Sequence, residues 1–251
     1  MEFRSQKAAY LTIALLSWSL AAAELRYQVR HDHLLKDGSG TVVIDDQGVA
    51  YQETSKKKKK KPGQLHHGRW DYQDIQQLYL APGRLTVVTY KDRKWLLGID
   101  KEYEFRLLPG QDLKEVYELL KNRLDRRFVA ALADGQVAVM WELPVKLLGI
   151  LQGSEGVLRF GPDHVVYKTD KKDNSRTWRW QDIENISTSD PYQLTLITYE
   201  RATTHYSSRK GFNFQLKQPL DEKRFDLLWR RLNRNQGLEF LTSIQEGNKQ
   251  P

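Results

Sequence analysis

Six consecutive lysines form the first group of residues whose type and spacing could carry chemistry. They place six ammonium groups side by side, at Lys56, Lys57, Lys58, Lys59, Lys60 and Lys61. Because like charges repel one another, we expect an exposed and mobile loop that attracts anionic partners. Near an anionic membrane, each lysine contributes about 1 kcal/mol to binding. The alternative is a solvated loop that only tolerates low-complexity expansion.

A second basic segment is weaker. It contains Lys171, Lys172 and Arg176, whose charges are partly offset by Asp170 and Asp173. Together with the six lysines, these three cations are the candidate residues for binding an anionic ligand or lipid.

Histidines form the third group. His31 and His33 are two residues apart, so on a strand they share one face, and His67 of the neighbouring histidine pair could supply a third nitrogen. Imidazole nitrogens are ligands that zinc and copper accept. The alternative is an exposed polar strand that holds no metal.

The rest of the sequence excludes several classes of chemistry. The 251 residues include no cysteine, so thiol catalysis, disulfides and thiolate metal sites are excluded. No nucleophile elbow, zinc-protease motif or phosphate-binding glycine loop is present. The net charge of +8 comes mostly from the lysine run, and the aromatic residues occupy core-like strand positions, so we expect no nucleic-acid partner. These absences favour a non-enzymatic binding module without a cofactor.

The elements that must position these residues occur twice. Three segments recur in order, residues 70–75 as 178–183, 85–90 as 194–199, and 103–107 as 212–216. An offset of about 109 residues, held over all three, indicates a tandem duplication. A feature found in only one copy is therefore not required by the fold. His31 and His33 belong to this class, because Leu147 and Gly149 stand opposite them.

The lysine run also belongs to one copy only. Eighteen residues separate Tyr51 from Trp70, whereas ten separate Tyr167 from Trp178. The lysines thus occupy an expansion of a hairpin loop, and Lys171 and Lys172 lie in the shorter equivalent loop.

Each copy has the pattern of short strands followed by one helix. In the first copy, a strand after Gly40 turns into a strand that ends at Tyr51, and the tryptophan segment follows with Trp70 and Tyr72 on one face. Two alternating strands come next, and the second copy repeats this order after Gly156.

An amphipathic helix ends each copy. The first follows the apolar spacing from Leu113 to Leu124, and the second begins near Pro219 and ends in the arginines of residues 230–234. Residues 128–149 contain a short connector and the opening strand of the second copy. The connector is too short for a long flexible linker, so we expect the two copies to pack against each other.

This order of elements resembles the pleckstrin-homology (PH) superfamily, and among its members the GRAM-like and bacterial PH-like domains. The resemblance covers both repeats and includes the Trp-x-x-x-Asp-Ile segments that end at Ile75 and Ile183. It implies a mainly β (α+β) protein of two tandem, small antiparallel β-barrel or sheet domains, each closed by a C-terminal amphipathic helix. It also implies that basic loops could contact anionic lipid headgroups.

The N-terminal residues have the pattern of an export signal. Arg4 and Lys7 precede an apolar stretch that ends in small residues at Ala21 and Ala23. We expect a signal at 1–23, PH-like repeats at 24–130 and 131–241, and a disordered tail at 242–251. The expected location is the periplasm or the exterior, and an uncleaved membrane anchor is the alternative.

These observations predict an exported, non-enzymatic binding or scaffolding protein. Its expected partner is an anionic lipid surface, contacted peripherally through the lysine loop, or an envelope protein. The alternatives are a protein–protein scaffold that binds no lipid, and a metal-binding protein or enzyme built on His31, His33 and His67.

Overall fold

The computed structural model describes residues 24–33, 36–54, 67–93, 96–149, 152–202 and 209–234. The first repeat contains β1 (Leu25–His33), β2 (Lys36–Ile44), β3 (Gly48–Glu53), β4 (His67–Asp71), β5 (Ile75–Ala81), β6 (Arg84–Arg93), β7 (Leu96–Leu107) and α1 (Lys114–Leu120). The connector contains β8 (Phe128–Ala130). The second repeat contains β9 (Trp141–Leu147), β10 (Ser154–Phe160), β11 (His164–Lys168), β12 (Arg176–Arg179), β13 (Ile183–Ser187), β14 (Gln193–Arg201), β15 (Arg209–Leu216) and α2 (Glu222–Asn233).

Within the described residues, the strands form one mixed sheet with β13 and β4 at its two edges. Its order is β13-β14-β15-β9-β10-β11-β12-β8-β5-β6-β7-β1-β2-β3-β4. The protein is therefore mainly β, as predicted, and of the two predicted forms, barrel or sheet, the described residues form an open sheet. The reason lies in β8, which pairs in parallel with β5 and antiparallel with β12. Because β8 takes the free edge of β5, that edge cannot pair with β4 and close the first repeat.

The duplication is visible in the strand pairing. Val29 of β1 pairs with Leu107 of β7, and Val145 of β9 pairs with Leu216 of β15. This register places His31 opposite Phe105 and Leu147 opposite Phe214, so His31 takes a position that is leucine in the second repeat.

The packing of aromatic rings repeats as well. Tyr51 lies 5.1 Å from Phe105 between ring centroids, and the matching pair in the second repeat, Tyr167 and Phe214, is 5.3 Å apart. Such pairs contribute about 0.5–1.5 kcal/mol beyond the area they bury. The described apolar side chains form two core clusters, one within residues 27–130 and one within 143–232. The division at 130/131 stays a prediction, and the two clusters lie on either side of it.

Three local predictions need correction. The strands predicted to follow Gly40 and Gly156 instead contain these glycines, because β2 begins at Lys36 and β10 at Ser154. A β-carbon at Gly40 would lie 2.5 Å from the ring of Tyr51, and one at Gly156 would lie 2.8 Å from the ring of Tyr167. Glycine is thus required for the tyrosine rings to cross these strands.

The strands formed by the tryptophan segments are shorter than predicted. Trp70 lies on β4, but Tyr72 belongs to a 3₁₀ turn, Tyr72–Asp74, and the second repeat has the matching turn Trp180–Asp182. Each turn redirects the chain into a further strand, β5 or β13, that the sequence pattern did not separate. Each repeat therefore has seven strands where six were expected.

The two helices end the repeats as expected. The apolar side chains of α1 at Val116, Tyr117 and Leu120 are buried in the first core. The N-cap residue of α2 is Asp221, whose carboxylate accepts a hydrogen bond from the Arg224 backbone N–H. Among the described residues, no helix is both long and apolar enough to cross a membrane.

A buried amide joins β5 to β14 and so joins the two repeats. Gln77 is 7% exposed. Its side-chain nitrogen donates to the Tyr199 carbonyl oxygen at 2.7 Å, and its oxygen accepts from the Arg201 N–H at 3.0 Å. The Arg126 guanidinium of the first repeat stacks 4.6 Å from the centroid of the Tyr199 ring. These contacts hold the strands of one repeat against those of the other.

Gln77→Ala should lower the free energy of unfolding by about 1–2 kcal/mol, because it leaves the partly buried Tyr199 carbonyl and Arg201 N–H without these partners. Urea denaturation measures this loss. Gln73→Ala is the matched control, because Gln73 is exposed on the preceding turn, and it should change the stability by less than about 0.5 kcal/mol. Equal losses in the two variants would show that the buried amide does not stabilise the junction.

Candidate functional site

A cleft of about 530 Å³ lies where the two repeats meet. Four chain segments line it: residues 121–122 after α1, residues 163–164 at the start of β11, residues 179–181 at the end of β12, and the C-terminal end of α2 with Arg231 and Arg234. The volume is within the range of about 300–1,000 Å³ that is usual for small-molecule sites.

Arg179 holds the first repeat against this cleft. Its guanidinium donates to the carbonyl oxygens of Lys121 at 2.7 Å, of Asp125 at 2.7 Å and of Leu124. These carbonyls belong to the segment that follows α1, and that of Asp125 also accepts from the Phe128 N–H at 3.0 Å. The same guanidinium forms two hydrogen bonds with the Asp182 carboxylate, at 2.7 and 2.9 Å. Because all its donor positions are occupied, Arg179 builds the wall of the cleft and has none left for a ligand.

Asp182 fixes Arg179 in that orientation. It also accepts from the Arg179 backbone N–H at 2.8 Å, across the 3₁₀ turn. Burial raises the pKa of Asp182 above its ordinary value, although the hydrogen bonds and positive charge of Arg179 oppose that rise. The pair is nearly excluded from solvent, with 11% of the Arg179 side chain and 12% of the Asp182 side chain exposed.

His164 is the histidine in the cleft wall. Burial lowers the pKa of His164 below its ordinary value, against the opposing charges of Asp134, Asp163 and Asp182. Its Nε2 atom is buried and has no hydrogen-bond partner in the described part of the chain. The ring is therefore neutral at neutral pH and lacks the partner that a buried polar atom normally has.

Two lining cations hold carboxylates that are open to solvent. Lys121 Nζ lies 2.7 Å from Glu118, and Arg231 lies 3.1 Å from Asp163. The side chain of Asp163 is 73% exposed and that of Glu118 is 42% exposed. Such surface pairs contribute about 0–1 kcal/mol, so another anion can replace the carboxylates at little cost.

Two residues of the cleft wall differ from their counterparts in the first repeat. The strand pairing that matches His164 with Arg179 matches Gly48 with Asp71 in the first repeat. A glycine and a carboxylate thus occupy the positions of the imidazole and the guanidinium. Since the two repeats share a fold, that fold does not require the imidazole of His164. The cleft is lined by basic side chains and one imidazole, and its lining residues include no paired nucleophile and base. This lining suits the cleft to binding an anion.

The candidate basic residues of the second repeat are largely engaged in the structure. Lys171 Nζ lies within hydrogen-bond distance of the carbonyl oxygens of Gln152, at 3.2 Å, and Gly153, at 3.4 Å. Arg176 Nε lies 3.8 Å from Glu200, a carboxylate that is 3% exposed, and its side chain is 14% exposed. Lys172 is exposed. Lys56, Lys57, Lys58, Lys59, Lys60 and Lys61 lie outside the described residues.

The structure does not bring His31 and His67 together. His31 is 6% exposed, its ring packs 4.9 Å from Phe105, and its Nδ1 donates to the Glu104 carbonyl oxygen at 2.8 Å. His67 is exposed on β4, and β2 and β3 lie between it and β1. Three strand spacings amount to about 14 Å, too far for a shared metal ion. The His33 side chain lies outside the described residues.

His31 also differs from the exposed polar strand that was the alternative. It is a core histidine in a position that is leucine in the second repeat. Among the residues that the structure describes, no group of three or more histidine, aspartate or glutamate side chains is placed to hold a metal ion.

Sequence reasoning missed the cleft, although a signal was present. Comparison of the two copies shows that His31 and the lysines are peculiar to the first copy. The same comparison pairs Gly48 with His164 and Asp71 with Arg179, and so identifies two residues peculiar to the cleft. The arginines of α2 also suit the C-terminal end of a helix dipole, so their type and position indicate no cleft. Their meeting with Lys121 depends on how the repeats pack, which the sequence does not state.

No protein-family model and no curated protein matches the chain. Among solved structures, the C-terminal domain of an unknown protein from Leishmania infantum matches with a TM-score of 0.29 and 8% identity, over 38% of this chain and 84% of that one. The Spt16D Pob3N heterodimer matches with a TM-score of 0.30 and 10% identity, over 70% of this chain and 84% of that one. At these TM-scores neither likeness supports an inference about fold or function.

Arg179→Lys should lower the free energy of unfolding by about 2–4 kcal/mol. One ammonium group cannot serve both the Asp182 carboxylate and three carbonyls, so buried acceptors are left unpaired. Arg159→Lys is the matched control, because Arg159 forms an exposed pair with Glu142 at 3.1 Å, and it should cost less than about 1 kcal/mol. If urea denaturation gave the same loss for both variants, Arg179 would not be the residue that joins the repeats.

Proposed function

We propose that the chain is an exported, non-enzymatic binding protein made of two tandem PH-like repeats. The observation that supports this proposal is the repeated unit of seven strands and one C-terminal helix, with matching registers and ring pairs in both copies. This is the order of elements on which the sequence resemblance rested. The two units share one sheet, so they would present their loops as a single platform.

The proposed partner is an anionic lipid surface that the protein contacts peripherally. Lys56 to Lys61 lie in the connection between β3, which ends at Glu53, and β4, which begins at His67. The matching connection in the second repeat runs only from Lys168 to Arg176. In the sequence, the lysines are thus an addition to one repeat and precede β4, an edge strand of the sheet within the described residues.

Replacing Lys56 to Lys61 by glutamine should abolish flotation with vesicles of phosphatidylglycerol and phosphatidylcholine. Six lysines contribute about 1 kcal/mol each near an anionic surface. The double variant Lys171→Gln and Lys172→Gln should lose much less, since it removes two charges, and raising the salt concentration should release the unmodified protein. Flotation that survives the six substitutions, or that occurs equally with pure phosphatidylcholine, would refute the lipid proposal.

A protein–protein scaffold is the second candidate, and the open sheet favours it. Within the described residues, β13 and β4 each have one side without a neighbouring strand. Such edges can pair with a strand of another protein. This candidate predicts that cross-linking in intact envelopes recovers the same partner whether or not the six lysines are replaced.

A metal-dependent enzyme built on His31, His33 and His67 is the third candidate. It requires His31 and His67 on one metal ion, and two other strands lie between the strands that carry them. Metal analysis of the purified protein remains the direct test of that candidate, which requires stoichiometric zinc, copper or nickel.

A further inference from the structure

We propose that the cleft between the repeats binds a phosphate group, as a free phosphorylated molecule or as a lipid headgroup. Lys121 and Arg231 would hold the oxyanion, and His164 would donate to it in its protonated form. The site is separate from the lysine run, so it goes beyond the proposed function and could exist whether or not that proposal is correct.

Three cations from the two repeats converge on the cleft. Lys121 comes from the first repeat, whereas Arg231 and Arg234 come from the C-terminal helix of the second, and all three line one cleft. Cations held close together repel one another unless an anion lies between them. The lining carboxylate is Asp163, and most of its surface faces solvent. A phosphate group can take its place and offers more acceptor atoms to a guanidinium.

His164 also points to an anion in the cleft. Its buried Nε2 has no hydrogen-bond partner in the described part of the chain. An imidazolium beside a phosphate oxygen would both satisfy that atom and balance the anion. The charged groups around the ring are Arg179 of β12, Lys121 after α1, Arg231 of α2, and three carboxylates, Asp134, Asp163 and Asp182.

The duplication supplies an internal control for this site. Gly48 and Asp71 occupy the matching positions in the first repeat. The position of His164 is thus a glycine in the first repeat, so the fold of a repeat does not need an imidazole there. Arg179 is already fully engaged with backbone carbonyls and Asp182, so its role is to position the walls, and the ligand contacts fall to Lys121, His164 and Arg231.

The test is a titration of the full chain with inorganic phosphate, followed by NMR chemical shifts. We expect saturable shifts at residues of the cleft. Arg231→Gln should weaken binding about tenfold, the loss expected for one charge-assisted contact. Asp163→Asn should tighten binding about threefold, because it removes the competing carboxylate.

Arg159→Gln is the matched control. Arg159 and Arg231 each pair with an exposed carboxylate at 3.1 Å, and their side chains are 31% and 35% exposed, but only Arg231 lines the cleft. The control should bind phosphate as tightly as the unmodified protein. Absence of saturation, equal weakening in the two arginine variants, or no tightening by Asp163→Asn would each overturn the proposal. Melting temperatures of all variants establish that they are folded.

Sulfate provides the test of His164, because sulfate does not itself titrate between pH 5.5 and 8. An anion in the cleft favours the imidazolium, so sulfate affinity should rise at least about threefold as the pH falls through that range. His164→Gln should remove this rise. A rise that persists in His164→Gln would exclude the histidine from the site, and no rise in the unmodified protein would do the same.

Vesicles distinguish the two sources of phosphate. In the variant whose Lys56 to Lys61 are glutamine, flotation with phosphatidylglycerol that depends on Arg231 would identify a headgroup. Phosphate binding in solution without flotation would identify a free phosphorylated molecule. Either result is compatible with phosphate binding in the cleft, because the six lysine substitutions remove the surface contact proposed above.

Discussion

The guanidinium of Arg179 is the contact on which the arrangement of the two repeats depends. It donates to carbonyl oxygens of the segment that follows α1 and is itself held by a buried carboxylate, Asp182. Breaking a buried pair of this kind leaves an unpaired charge and costs about 3–5 kcal/mol. Since Arg179 and Asp182 belong to the second repeat and the carbonyls to the first, the hydrogen bonds to those carbonyls stabilise the protein only when the repeats are docked.

The open sheet and the cleft both follow from this docking. With the end of α1 fixed against β12, the short strand β8 lies between β5 and β12 and continues the sheet from one repeat into the other. The same docking brings Lys121 to His164 and Arg231. The cleft is therefore a property of the pair of repeats, and it would not exist in either repeat alone. The arginines of α2 also complement the helix dipole, a role that is compatible with binding an anion.

Much of the fold within each repeat could be predicted from the sequence. The duplication, the strands that contain Tyr51 and Tyr167, and the second amphipathic helix all depend on local patterns, and the structure contains them. The missed strands β5 and β13 follow 3₁₀ turns that continue the alternation of apolar residues, so the pattern gave no boundary. The open sheet and the cleft depend on contacts between residues far apart in the chain, such as Arg179 with Leu124, and no local pattern encodes these.

Differential scanning calorimetry of the full chain tests most directly whether the repeats form one unit. Docking through Arg179, Gln77 and β8 predicts a single unfolding transition, with a calorimetric enthalpy equal to the van't Hoff enthalpy. Two separate transitions, each with about half of the total enthalpy, would contradict this account, because each repeat would then unfold without the free energy of the junction.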